Sequence, residues 1–249
     1  MVNGDSGYNA RTTRRAVGLL LSEAGRQELT LRLVQKVDTP IGGGFGASAA
    51  AATSAVYASA STAEIASPKR KLALCAYKAE IMEQTGLGTV SVVYRSIGAG
   101  AITIPGEPGE ARFVSVSVPR GTKIVTAFLA PYDKKDALSS QVVSGKINSL
   151  GAAALQVFLS DPTLDSLASE GERFSKLLGL ESPEVKKMIA TAKRAGATYA
   201  SQNMIGYSIH SLVDSEGAKK VIDSLGALGP GIRVDIFEIG KKKARVLAA

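Results

Sequence analysis

Tryptophan is absent from this 249-residue chain, histidine and cysteine occur once each, as His210 and Cys75, and aromatic residues make up only 5%. A single cysteine excludes an internal disulfide and makes a reducing compartment, the cytoplasm, the expected location. A single histidine leaves no second imidazole for a zinc site, and it excludes the usual histidine-dependent triad unless His210 itself is the base. Both are expected to be structural, Cys75 within an apolar helical pattern. The GxxxxGK[ST] phosphate loop occurs nowhere. The first 15 residues are polar and basic without an apolar centre, so no signal peptide is expected. Residues 46–66 form a long run of Ala, Ser and Thr with few large apolar side chains, which argues against a membrane span.

Acidic residues are also in short supply, 22 against 30 Lys and Arg, giving a net charge of +8. That balance suits an anionic partner such as a nucleotide, a nucleic acid or an acidic metabolite. The dense basic clusters Lys69-Arg70-Lys71 and Lys241-Lys242-Lys243 read as solvated faces. No zinc-finger or aromatic RNA-binding signature accompanies them, so a nucleic-acid partner is the weakest reading. With 45% hydrophobic and 21% charged residues, the composition is that of a globular protein long enough for one large or two small domains.

What is present is glycine in a particular place. Leu29-Thr30-Leu31-Arg32-Leu33-Val34-Gln35-Lys36-Val37 largely alternates apolar and polar residues, the period of a half-buried strand. Pro40-Ile41-Gly42-Gly43-Gly44-Phe45-Gly46-Ala47-Ser48-Ala49-Ala50 comes next and opens an Ala-rich helix. Strand, glycine loop and helix in that order make a site for an anion: glycine lets the backbone approach a ligand, and the first helical amides lack internal partners. Ser48 could offer a hydroxyl to phosphate or to Mg²⁺, which prefers hard oxygen ligands. A turn that merely packs a strand on a helix is the competing reading. The alternation of Gly42, Gly44 and Gly46 between Pro40 and Ser48 favours phosphate.

Elsewhere, residues 10–24 predict a helix stopped by Gly25, and the helix leaving the loop is expected to run from about 47 to 59. Ser67-Pro68 starts the next, with Leu72, Cys75, Ala76 and Ala79 at helical spacing. It carries Glu80 and ends at Gln84-Thr85-Gly86-Leu87-Gly88-Thr89-Val90. Short β-branched runs predict strands over 101–104, 113–118 and 123–129, with a domain boundary at or slightly after the turn Pro105-Gly106-Glu107-Pro108-Gly109. Helices are expected over 137–159, 163–178 and 182–195, the last capped by Ser182 with Pro183 first. Strand 209–213, helix 215–225 and strand 231–239 close the chain, and the basic tail 241–245 is expected to fray.

The glycine loop resembles PxGxGLGSSAA, the second motif of the GHMP kinases, which act on galactose, homoserine, mevalonate and phosphomevalonate. Phe45 replaces the usual Leu and Ala47 the first Ser. Together with Ala79-Glu80, Thr85-Gly86-Leu87-Gly88 and Asn203-Met204-Ile205-Gly206, it is similar more narrowly to the archaeal pantoate kinases, over about 9–239. The resemblance implies an α+β GHMP-kinase two-domain fold. Residues 1–120 would be a ribosomal-protein-like N-terminal ATP-binding domain lacking its first strands, and 121–249 a ferredoxin-like C-terminal domain. It implies a kinase that phosphorylates pantoate on the route to coenzyme A, with ATP and Mg²⁺ as cofactors, no membrane, and a homodimer as a compatible state. Nucleotide binding would fall to Pro40, Gly42, Gly43, Gly44, Phe45, Gly46, Ala47 and Ser48, and metal binding to Ser48 and Glu80. Residues 199–208 would lie beside the active site.

Two departures accompany the resemblance. Thr89 stands where relatives carry Asp after the Thr-Gly-Leu-Gly run, and a threonine hydroxyl is no carboxylate base, so the catalytic residue is unassigned. The chain also starts close to the helix containing Arg14, where family members begin with a β segment; a late start or a shortened domain is expected. Arg11, Arg14 and Arg15 are candidates for the acceptor carboxylate, which guanidinium groups bind bidentately; an exposed basic face is the other reading. The rival functions are a non-catalytic nucleotide- or metabolite-binding relative and a nucleic-acid-binding protein.

Overall fold

The computed structural model describes residues 1–86, 88–96, 98–132, 141–203, 206–240 and 242–247. The sequence readings at Leu87, Met204, Ile205 and Lys241, and the start of the helix predicted from 137, lie outside these residues.

Four helices build the first half. In α1 (Arg11–Glu23), Thr12, Thr13, Ala16, Val17 and Leu20 form the buried face. The apolar run predicted as a helix after the loop is α2 (Ala47–Thr62), and its alanines 49, 52, 55 and 60 are buried with Val56. Such small side chains let neighbouring helices approach closely, and α1, α2 and α3 (Lys69–Glu83) all pack against one another. Pro68 precedes α3 and Gln84, at φ 54, ends it. A short helix that the sequence did not signal, α4 (Thr89–Arg95), starts at Gly88 with φ 106. Ala16, Leu20, Val56, Tyr57, Leu72, Cys75, Ala79 and Val90 form one hydrophobic core. Arg70 ties α3 to the turn at 105–110: its guanidinium donates to the Pro108 carbonyl (2.9 Å) and to Glu107 and Glu110 (2.5 and 2.7 Å). That cluster is therefore not a purely solvated face.

The strand expected over 29–37 is corrected. The segment is extended and its exposure alternates residue by residue, as the pattern required, yet its only ladder contact among the described residues is a bridge from Gln35 to Val2. Gln35 accepts from Asn3 N at 2.9 Å and donates to Met1 O at 3.0 Å. Period-2 patterning selects an extended backbone; a strand also needs a paired neighbour along its length.

The second half begins after a two-stranded antiparallel sheet, β1 (Ala99–Ile104) with β2 (Arg112–Val116). Then come β3 (Lys123–Ala130), α5 (Gln141–Ser160), α6 (Leu164–Leu178), α7 (Pro183–Ala195), β4 (Tyr199–Gln202), β5 (Tyr207–Val213), α8 (Ala218–Gly226) and β6 (Arg233–Glu238). The sheet order is β4-β5-β3-β6, all antiparallel, the arrangement of a ferredoxin-like unit. The central strand β3 is flanked by β5 and β6, and its Val125 and Ala127 meet Val185, Met188, Ile209, Val221 and Leu225 in a second core. Ser182 caps α7 as expected, accepting from Val185 N. Thr163 caps α6 in the same way.

Helix α5 is long and apolar enough to cross a membrane by length and composition. It packs along α6, buries Phe158, and its Lys146 Nζ donates to the Leu178 carbonyl at 2.9 Å. The tail does not simply fray: residues 242–247 are irregular, and Ala244 returns to pack on the first core.

Candidate active site

The glycine loop lies where the two halves meet. Gly42, Gly44 and Gly46 take φ values of +83, +76 and +75. Gly46 is the residue before α2, and no side chain caps that helix among the described residues. The first-turn amides of α2 therefore have no carbonyl partner within the helix. Phe45 folds back: a Cβ at Gly43 would lie 2.5 Å from its ring and 2.9 Å from that of Phe128 on β3. Pro40, buried, opens the turn and accepts from Gly43 N at 3.4 Å.

The second motif comes up against this helix start. Ser48 Oγ donates to Thr85 Oγ1 at 3.2 Å, and Thr85 Oγ1 meets Thr12 Oγ1 of α1 at 3.0 Å. Thr85 N donates to the Glu80 carbonyl at 3.0 Å. Glu80 itself is 2% exposed in the last turn of α3, and a Cβ at Gly86 would overlap both of its carboxylate oxygens. The Thr85-Gly86 pair thus stands between Ser48 and Glu80. Thr89 also reaches the loop, its Cγ2 lying 3.0 Å from where a Gly46 Cβ would be. No group of three or more His, Cys, Asp or Glu side chains gathers into a metal site among the described residues. One carboxylate and several hydroxyls are hard oxygen donors, a set that suits Mg²⁺ shared with phosphates rather than an all-protein cage.

From the other side, the end of the ferredoxin-like sheet holds the loop. The buried Ser208 donates its hydroxyl to the Gly43 carbonyl (2.5 Å), which also accepts from Asn203 Nδ2 at 3.2 Å. Tyr132 N donates to the Gly42 carbonyl at 3.2 Å. Asn203 Oδ1 lies 2.6 Å from His210 Nδ1. With the Asn203 amide nitrogen committed to a carbonyl, its oxygen must accept, so the proton sits on Nδ1. Sequence reasoning reached this stretch only through the resemblance. Ser208 had no signal of its own within that stretch, and neither had His210 beyond it, because their role depends on a carbonyl 165 residues from Ser208 in the chain.

Burial lowers the His210 pKa from its ordinary 6.5, opposed by the Glu172 carboxylate. A base whose native pKa is depressed stabilises the fold above its unfolded pKa and loses that contribution as pH falls toward the native value. Thermal midpoints recorded from pH 8 downward should accordingly begin to drop near pH 6.5, and His210→Asn should flatten that limb. An unchanged slope in the variant would assign the acid limb to other groups.

The three arginines are split. Arg15 Nε donates to Glu83 at 3.1 Å, and Arg11 lies 3.9 Å from the same carboxylate. With Arg14, Asn9, Gly18 and Leu19 they line an open cleft of about 600 Å³. Arg11 and Arg15 flank Thr12 on α1, so the cleft begins beside the hydroxyl chain. Cys75 is buried, and desolvation followed by the nearby Glu23 raises its thiol pKa to about 11, which makes it inert.

Residues 11–95 match the family described as the GHMP kinases N terminal domain. The chain is 26% identical over 189 residues to a pantoate kinase of Methanospirillum hungatei JF-1, covering 75% of this chain and 60% of that relative's length. Among solved structures, a phosphotransferase related to the CoA biosynthesis pathway superposes with a TM-score of 0.79 at 21% identity, over 98% of this chain and 78% of the other. Homoserine kinase of Cytophaga hutchinsonii shares the fold with a TM-score of 0.65 at 18% identity, over 97% and 81%. Residues 11–95 thus match the GHMP kinases N terminal domain, and the chain as a whole shares the α+β architecture of these solved structures.

Proposed function

We propose that this protein is an ATP-dependent kinase that phosphorylates pantoate to 4-phosphopantoate. The observation that carries the kinase reading is the uncapped start of α2 behind three left-handed glycines, with Ser48, Thr85 and Glu80 grouped beside it. Pantoate as acceptor is supported by the likeness to the Methanospirillum enzyme.

The amides of the loop and first turn would bind the triphosphate, where they and the helix dipole oppose its negative charge. Ser48 and Glu80 would hold Mg²⁺, which when bound neutralises charge on the phosphates. Pro40 and the Phe45 ring keep the loop against β3. Arg14, with Arg11 and Arg15, would take the acceptor carboxylate at the cleft beside Thr12. In this reading residues 1–120 carry the nucleotide site, and 121–249 support it from below. No base is assigned, since Thr89 occupies the position of the expected Asp; phosphoryl transfer depends chiefly on positioning and charge neutralisation.

The test is mass-spectrometric detection of phosphopantoate after incubation with ATP, Mg²⁺ and pantoate, with mevalonate and homoserine in parallel. Phosphopantoate alone is expected. Product from another acceptor would reassign the substrate. A second reading, a nucleotide-binding relative without transfer, is favoured by Thr89 at the loop; it predicts ATP-dependent thermal stabilisation with no ADP formed.

A further inference from the structure

We infer that Ser208, Asn203 and His210 are positioning residues that set the orientation of the phosphate-binding amides through one peptide group, that of Gly43. The inference rests on the phosphate-loop reading of Gly42–Ser48 and adds to it residues from the other half of the chain.

In a trans peptide the carbonyl and the following N–H point in opposite directions. The Gly43 carbonyl points into the sheet, fixed by Ser208 Oγ and Asn203 Nδ2. The Gly44 N–H on the same plane must then point out of the sheet, to the side of the loop away from β5. Glycine peptides rotate easily, so without these donors the 43–44 plane has no fixed direction. Packing adds a floor: the Gly44 Cβ position would lie 3.1 Å from the Asn203 carbonyl oxygen.

His210 acts one step further back. An asparagine amide presents its oxygen and nitrogen in near-identical shape, and only its partners decide which faces which. His210 Nδ1–H claims Asn203 Oδ1, leaving the NH₂ for Gly43. Were the amide reversed, its oxygen would face the Gly43 carbonyl oxygen, two acceptors without a proton between them. The imidazole therefore selects the amide orientation that holds the loop. Ser208 and Asn203 are buried, where an unmade hydrogen bond is costly. The lone histidine of the chain thus has a use that needs neither metal nor triad.

The experiment is calorimetric titration of the full chain with ATP in the presence of Mg²⁺, alongside the Michaelis constants for ATP and for pantoate. Ser208→Ala and His210→Phe, the latter keeping ring volume but losing the donor, should each weaken ATP binding about tenfold. The KM for ATP should rise and that for pantoate stay level. His210→Asn places an amide N–H near the lost Nδ1–H and should recover affinity to within about threefold of wild type. Circular dichroism identifies which variants are folded at the titration temperature; should His210→Phe not fold, Ser208→Ala carries the same expectation. Folded variants that bind ATP as wild type does, or an His210→Asn variant as weak as His210→Phe, would overturn the inference. Absence of ATP binding by the wild-type chain would instead overturn the phosphate-loop reading itself.

Discussion

Valine at Gly44 is expected to abolish nucleotide binding while both hydrophobic cores stay folded. Gly44 has φ +76, a conformation that costs a residue with a Cβ roughly 1–2 kcal/mol, and a β-branched one more. Space is also lacking: the new Cβ would meet the Asn203 carbonyl oxygen at 3.1 Å and its Cβ at 3.2 Å. Asn203 cannot yield freely, since its side chain is held by Gly43 on one side and His210 on the other. The loop must move instead, and with it the amides proposed to face the phosphates. Activity with ATP should fall at least about a hundredfold, the scale at which loss of preorganised donors registers. Gly25→Val is the matched control. Gly25 is also left-handed, at φ +65, but nothing lies within 4 Å of its Cβ position. That variant should lose stability by the same backbone strain and keep its affinity for ATP. Equal ATP affinity in Gly44→Val and wild type would remove the glycine loop from the site.

The same two motifs show where sequence reasoning succeeds and where it stops. The helices 11–23, 47–62 and 69–83 were legible because each has a local cause: an apolar face at helical spacing or an Ala-rich run, and a glycine or proline at an end. The ferredoxin-like ending was legible for similar reasons, β-branched runs bounded by turns. The 29–37 segment shows the limit. Its alternation specified which side chains face inward, and that is how they lie, but pairing is a property of a neighbour and not of the segment. β4 and α4 are too short for periodicity to register, at 4 and 7 residues. The glycine loop was visible as composition, whereas its hold on the second half was not. Ser208 and Asn203 lie 165 and 160 residues from the Gly43 carbonyl they bind. Nothing in a linear pattern couples positions so far apart. Likewise Thr12 gave no sign of joining Thr85 and Ser48, since a threonine in the first turn of a helix looks like any other.

Removing the charge of Glu80 is the second large effect. Glu80 is the acidic side chain set against the Thr85-Gly86 pair, and Glu80→Gln preserves its shape while removing a full negative charge. If the carboxylate holds Mg²⁺, turnover should drop on the order of a hundredfold and the Mg²⁺ concentration for half-maximal rate should rise. The melting temperature is recorded alongside, so that loss of fold is told apart from loss of metal. A raised Mg²⁺ requirement in a folded variant is what separates a metal ligand from a structural carboxylate. Gly86→Ala supplies an independent route to the same end: its Cβ would overlap a Glu80 oxygen, displacing the carboxylate without altering any charge. Both variants should then share the raised Mg²⁺ requirement, although one changes charge and the other only position. A Glu80→Gln protein with wild-type Mg²⁺ dependence would return Glu80 to the role of a buried helix-end residue and leave the metal to Ser48 and the phosphates alone.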